Sequence, residues 1–291
     1  MNNKMNNDRM EYYMGFPKGT YNEVLDGLEQ TEVYSFETSS IPLAEFWQPA
    51  NLTRIEAILS PHLPGIDLAH DFKFFEFPTD PVLRGVVCSD HPSMTDLMIM
   101  HPNDWQIAIE AKYTEYVRMA TLTCGEWITT KRKNRVRLMP YRHILRAWVE
   151  MISNAKCTDL SMTEFYKTGM DVGYQFLHRT ASACFKTNGP EESTPVLVYQ
   201  LFYKQGDAMH IAKMEAFKNN LRRWAKLLRL KNMKFLIVSV PIVNADEVKT
   251  TFEHLLGNRA RSLFTAMRES PVYRFDFENI SIETVVDKEI R

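Results

Sequence analysis

Short runs of apolar, β-favouring residues alternate along this chain with segments whose apolar residues recur at helical spacing. That alternation restricts the fold more than any other feature, because it calls for a sheet with helices on its faces. The runs "DFKFFEF" (71–77), "TDLMIM" (95–100), "WQIAIEAKY" (105–113), "VLVYQLFY" (196–203) and "KFLIVSVPIV" (234–243) are predicted strands. Helices are predicted over "LTRIEAILSPHL" (52–63), where Leu52, Ile55 and Leu59 repeat before Pro61, and over "PYRHILRAWVEMI" (140–152), which opens on Pro140. Further helices are expected over 162–185, over "AFKNNLRRWAKLLRL" (216–230) with Phe217, Leu221, Trp224 and Leu228 inward, and near 246–268. "VYRFDF" (272–277) reads as a last strand. The expected class is α/β, a central mixed sheet flanked by helices. No repeat or low-complexity linker divides the chain, so residues 1–12 read as a disordered N-terminus and 13–291 as a single domain.

The chain has 291 residues, 45% apolar and 24% charged, enough for a sizeable core. A net charge of −1 gives no overall pull toward nucleic acid or membrane, so any such surface must be local. Cys88, Cys124, Cys157 and Cys184 are widely spaced with no CxxC pair, which reads as free thiols in a reducing compartment and disfavours a zinc site. "MNNKMNNDRM" lacks the apolar core of a signal peptide, and no apolar run reaches about 18 residues. The expected location is the cytoplasm, with no membrane partner. There is no Gly-rich phosphate loop, GxSxG or HExxH, which disfavours P-loop, serine-hydrolase and zincin chemistry.

Residues 95–116, "TDLMIMHPNDWQIAIEAKYTEY", read as a β-hairpin that carries Asp96, Glu110 and Lys112 among apolar neighbours. Side chains alternate along a strand, so Glu110 and Lys112 share one face of the second strand. A two-residue loop at Pro102-Asn103 would set Asp96 opposite Ile109 and point the two acids to opposite faces. A three-residue loop (Pro102-Asn103-Asp104), or a five-residue one, sets Asp96 opposite Glu110 on the same face. The two Cβ atoms would then be roughly 5 Å apart, and two carboxylates that close repel unless a cation or proton sits with them. Such a pair with a lysine beside it is a candidate site for Mg²⁺, which prefers hard oxygen ligands and needs only one or two carboxylates. A metal there can acidify water and stabilise charge at phosphorus.

Asp96, followed after thirteen residues by Glu110-Ala111-Lys112, resembles the D…(D/E)-x-K pattern of the PD-(D/E)xK nuclease superfamily, with Thr95 in place of the usual proline. The order also resembles that family: a helix, three strands with the acids on the second and third, then a helix and a further strand. The resemblance covers about 45–205 by that pattern. It implies a restriction-endonuclease-like core with additional C-terminal helix and strand elements over about 206–291. It also implies an Mg²⁺- (or Mn²⁺-) dependent DNA endonuclease of restriction or repair type. Glu56, Asp96, Glu110 and the Ala111 backbone carbonyl would hold the metal, Lys112 would serve the attacking water, and Gln175 would be an auxiliary group. Cutting two strands commonly uses two sites, which a homodimer would supply.

Each reading has a plainer counterpart. The hairpin acids and Lys112 could form a cross-strand salt-bridge network, Glu56 an exposed helix position, Gln175 a hydrogen bond at the core edge, and His178 a satisfied structural histidine. Lys131, Arg132, Lys133, Arg135 and Arg137 in "TTKRKNRVR" follow the ExK strand as a basic loop suited to nucleic-acid phosphates, or as a solvated charge run. The basic residues of "KNNLRRWAKLLRLKNMK" are a second phosphate track or the wet face of an amphipathic helix. On the functional side, the alternative to an enzyme is a nucleic-acid-binding module on the same fold with little or no nuclease activity.

Overall fold

The computed structural model describes residues 12–14, 18–31, 38–89, 92–101, 106–118, 122–133, 138–185, 194–252 and 260–287. In chain order its elements are β1 (Tyr12–Met14), β2 (Lys18–Gly19), α1 (Tyr21–Thr31), α2 (Ser40–Phe46), α3 (Leu52–Leu59), β3 (Phe72–Thr79), β4 (Val82–Leu83), β5 (Val86–Val87), β6 (Ser93–Met100) and β7 (Gln106–Lys112). There follow α4 (Glu115–Arg118), α5 (Cys124–Lys133), α6 (Leu138–Asn154), α7 (Met162–Thr168), α8 (Tyr174–Ala183), β8 (Val196–Lys204), α9 (Ala208–Leu227), β9 (Lys234–Ile242), α10 (Ala245–Phe252), α11 (Ala260–Glu269) and β10 (Ser281–Val286).

One eight-stranded sheet runs β10-β9-β8-β7-β6-β3-β1-β2, and β4 and β5 form a separate two-stranded ribbon. The sheet is mixed: β7, β8 and β9 are parallel, β6 is antiparallel to both β3 and β7, and β1 lies parallel to β3. Arg84 and Gly85, both at positive φ, turn β4 into β5, as a two-residue hairpin loop demands. The central strands β7, β8 and β9 are buried on both faces, which explains their nearly unbroken apolar sequences.

Helices cover both faces. Ile55 and Leu59 of α3 and the apolar residues of α1 and α2 pack with Leu97, Ile99, Ile107 and Ile109 on one side. On the other, α6, α8 and α9 pack with Met98, Met100, Ala108, Leu197 and Phe235. The expected α/β sheet is therefore present, with differences at particular segments. The region 162–185 is not one helix: a 3-10 turn over Gly169–Asp171 precedes Gly173, which starts α8. The helix expected from 216 begins eight residues earlier, where the Asp207 side chain accepts the His210 N–H and caps it.

Residues 272–277 form only an isolated bridge from Phe275 to Ile242, and the edge strand is β10. Of the helix expected over 246–268, α10 and α11 are helical, and residues 253–259 between them lie outside the described residues. Of the expected disordered N-terminus, residues 1–11 lie outside the described residues, while Tyr12 pairs with Lys73 in the sheet. Among the described residues no helix is long and apolar enough to cross a membrane.

Glu45 of α2 fastens the segment before β10 to this body. Its carboxylate is buried and accepts the backbone N–H groups of Val272 and Tyr273, the latter at 2.9 Å. Burial raises its pKa to about 7 against those two bonds, from the usual 4.5. The folded state therefore keeps a proton between pH 4.5 and 7 that the unfolded chain loses, so this group's contribution to stability falls as pH rises through that window. In urea denaturation at pH 5 and pH 8, wild type should lose roughly 3 kcal/mol more than Glu45→Gln.

Candidate active site at the parting of two strands

The β6–β7 register pairs Met100 with Gln106, Met98 with Ala108 and Leu97 with Ile109. Five residues separate the paired ends, an odd loop, and the next step of the same register sets Asp96 opposite Glu110. The turn residues 102–105 lie outside the described residues. Beyond Leu97 the strands part: β6 stays with β3 as far as Ser93, and β7 stays with β8 as far as Lys112. Asp96 stands in the fork, where its Oδ2 accepts the Ala111 N–H at 2.8 Å in place of a further ladder bond. The fork lies at the carboxyl end of β7, the end at which open α/β sheets commonly bind ligands.

Helix α8 closes the fork from the β6–β8 face. Gln175, His178 and Arg179 fall on one side of it at helical spacing. Gln175 Nε2 donates to Glu110 Oε1 at 2.7 Å, and Lys112 Nζ donates to the same oxygen at 2.5 Å. Arg179 Nε donates to Glu110 Oε2, its Nη1 donates to Ser93 Oγ, and its Nη2 lies 3.9 Å from Asp96 Oδ1. Ser93 Oγ is 2.7 Å from His178 Nδ1. Burial and the charges of Arg179 and Lys112 hold His178 well below its usual pKa, so its ring is neutral. Its Nδ1 faces the Ser93 hydroxyl and Arg179 Nη1, both donors, and is therefore the unprotonated nitrogen.

The two acids are not equivalent. Glu110 is fully buried, which by itself would raise its pKa, but Arg179 and Lys112 outweigh that and hold it below the usual range. Asp96, whose side chain is 20% exposed, is pushed well above the carboxylate range by desolvation and by the charge of Glu110, against Lys112 and Arg179. Glu76 adds to that push. It stands where the β3–β6 register passes Asp96, and its φ of 51° is a left-handed conformation that is costly for a residue other than glycine. The site thus has one firmly ionised carboxylate, one that resists ionisation, and two cations.

Asp96, Glu110, Lys112 and Gln175 are brought together. Glu56 is not: α3 packs on the opposite face of the sheet, and Glu56 Oε2 accepts the Leu68 N–H at 2.8 Å. The motif gave no register between that helix and the sheet, and the packing of Ile55 and Leu59 turns Glu56 away. Ala111 enters the site through its N–H. The expected basic loop is helical through Lys133, the end of α5, and Lys131 Nζ sits 5.7 Å over the Tyr141 ring. The side chains of Arg132 and Lys133, and all of Arg135 and Arg137, lie outside the described residues. On α9, Arg222 pairs with Glu283 and Arg223 with Asp171, while Arg229 beyond its end pairs with Glu164. These cations fasten α9 and the turn after it to neighbouring elements.

Arg179 and Ser93 were not singled out from the sequence. The available signal was Arg179 one helical turn after Gln175. Among the described residues no group of three or more His, Cys, Asp or Glu is close enough to hold a metal ion. A polar cleft of about 180 Å³ adjoins the same end of the sheet, bordered by Tyr113, Lys204, His210 and Asp246, with Lys204 paired to Asp246 at 2.6 Å.

The network has a measurable energetic signature. Glu110→Ala strands two buried cations and should destabilise by about 3–5 kcal/mol in urea unfolding. Gln175→Ala removes a single bond to an ionised acceptor and should cost about 1.5–3 kcal/mol.

Neither the curated proteins nor the solved structures yield a match to this chain. Residues 21–249, a span that takes in α1 through β9 and the whole of the fork, match the family described as Domain of unknown function (DUF6946), and the chain belongs to that family.

Proposed function

We propose that this protein is a metal-dependent DNA endonuclease that hydrolyses phosphodiester bonds, with Asp96, Glu110 and Lys112 at its centre. The observation that carries this reading is the odd hairpin register, which brings Asp96 and Glu110 to one face with Lys112 beside them. The order of elements agrees: β3, β6 and β7 antiparallel in turn, then α8, then β8 parallel to β7. That is the arrangement expected of a restriction-endonuclease-like core, with α9 to β10 as its C-terminal elaboration.

The donor set suits a hard divalent cation, since two carboxylates converge from adjacent strands and Asp96 Oδ1 has only a loose ion pair at 3.9 Å. Asp96 and Glu110 would hold Mg²⁺ or Mn²⁺, joined by the Ala111 carbonyl. The ion, when bound, supplies an acidified water and charge stabilisation at phosphorus. The chain's own groups do the rest. Lys112 and Arg179 keep Glu110 ionised, and Gln175 fixes its orientation. Lys112, 11% exposed at its side chain, would orient the attacking water or balance charge on the scissile phosphate.

A nucleic-acid-binding module without cleavage is the second reading. It is favoured by the engagement of both Glu110 oxygens with protein donors. Incubation with plasmid and linear DNA in Mg²⁺ or Mn²⁺ separates the two. Metal-dependent nicking is expected, reduced at least ~100-fold in Asp96→Asn and Lys112→Ala variants that melt cooperatively. Full activity in Lys112→Ala would remove its assigned role. Binding of DNA without cleavage under any of these conditions would select the second reading.

A further inference from the structure

We propose that Arg179 is a resident counter-ion that occupies the carboxylate site until metal and substrate arrive, and then exchanges its ion pair with the carboxylates for one with the substrate phosphate. The inference rests on the nuclease reading above and concerns the regulation of that same site. It starts from charge. Asp96 and Glu110 carry two negative charges when ionised, and Lys112 and Arg179 carry two positive charges. A divalent cation added to this buried group would leave it two charges in excess, which a water-poor site does not tolerate.

Geometry identifies which cation must yield. Lys112 holds Glu110 Oε1, whereas Arg179 covers Oε2 and reaches toward Asp96 Oδ1, so it stands between the two acids. Asp96 and Glu110, the residues that would hold a metal, are the two acids that the guanidinium already contacts, so the two cations would compete for them. The remaining contacts of Arg179, from Nη1 to Ser93 Oγ and to the neutral His178 ring at Nδ1, are with uncharged groups and are the easier ones to leave. Once displaced, a planar guanidinium is suited to bidentate contact with a phosphodiester. The incoming phosphate offsets the charge that the metal brings. Metal and nucleic acid should therefore bind with positive coupling, each raising the affinity for the other by the same factor. An enzyme built this way holds metal poorly until DNA is present.

The test measures metal binding rather than cleavage. Mn²⁺ is titrated calorimetrically into wild type and Arg179→Gln, alone and with a phosphorothioate-substituted DNA duplex that resists hydrolysis. Thermal melts check the fold of each variant. Arg179→Gln is expected to bind Mn²⁺ at least ~10-fold tighter than wild type without DNA, and to lose most of the gain that DNA confers. Ser93→Ala, which removes one hold on Arg179 without exposing a charge, should shift Mn²⁺ affinity the same way by a few-fold, and it serves if Arg179→Gln does not fold. Wild-type Mn²⁺ affinity in both folded variants would overturn the counter-ion role. If Asp96→Asn still abolished Mn²⁺ binding, the metal-site reading would stand. If wild type bound no Mn²⁺ even with DNA, that reading would fail and take this proposal with it.

Discussion

Two carboxylates on neighbouring strands of a dry sheet cannot both ionise unless cations are placed with them, and much of the fork end of this sheet is arranged around that requirement. Asp96 meets Glu110 because the hairpin loop has odd length. The two strands part at that step, and α8 fills the opening with Gln175, His178 and Arg179. Lys112 completes the neutralisation from β7, and Ser93 on β6 accepts a hydrogen bond from Arg179 that helps hold its guanidinium there. Removing Glu110 leaves the buried charges of Lys112 and Arg179 without their shared partner, which ties the register of the hairpin to the docking of the helix.

Other buried charges in the molecule are handled differently. Lys73 is fully buried and donates to the backbone carbonyls of Leu68 and Asp71. The Glu45 carboxylate accepts two backbone N–H groups. Those partners belong to the main chain and cannot leave without unfolding, so they act as fixed ties. At the fork, the partners of Glu110 are the side chains of Lys112, Gln175 and Arg179, which can change rotamer while the backbone stays folded. A buried charge satisfied by exchangeable side chains is compatible with a ligand taking their place. This contrast supports assigning function to the fork rather than to the other buried ions.

The surface charges follow a similar division. Of the basic residues on α9 and the turn after it, Arg222 pairs with Glu283, Arg223 with Asp171, and Arg229 with Asp159 and Glu164, while Lys218 pairs with Glu215 of the same helix. The proposed nucleic-acid contact therefore falls to the fork and its surroundings, where α5 carries Lys131.

The sequence by itself determined the strand runs and the alternation that demands a sheet between helices, and it reduced the meeting of Asp96 and Glu110 to the parity of one hairpin loop, which the register of the folded strands then decided. These are local properties, readable because side chains alternate with period two in strands and 3.6 in helices. Gln175 was reached only through the resemblance to the PD-(D/E)xK superfamily, which implies an auxiliary polar group in the later core helix. Only the tertiary structure decided which face each helix covers. Glu56 fell on the wrong side for that reason, while Arg179 and Ser93, distant in sequence, arrived between the acids. The break at Gly169–Gly173 and the edge strand β10 escaped notice because their stability comes from what they pack against. Long-range docking, not local pattern, set the charge balance of the site, and that balance depends on burial, which no stretch of sequence fixes alone.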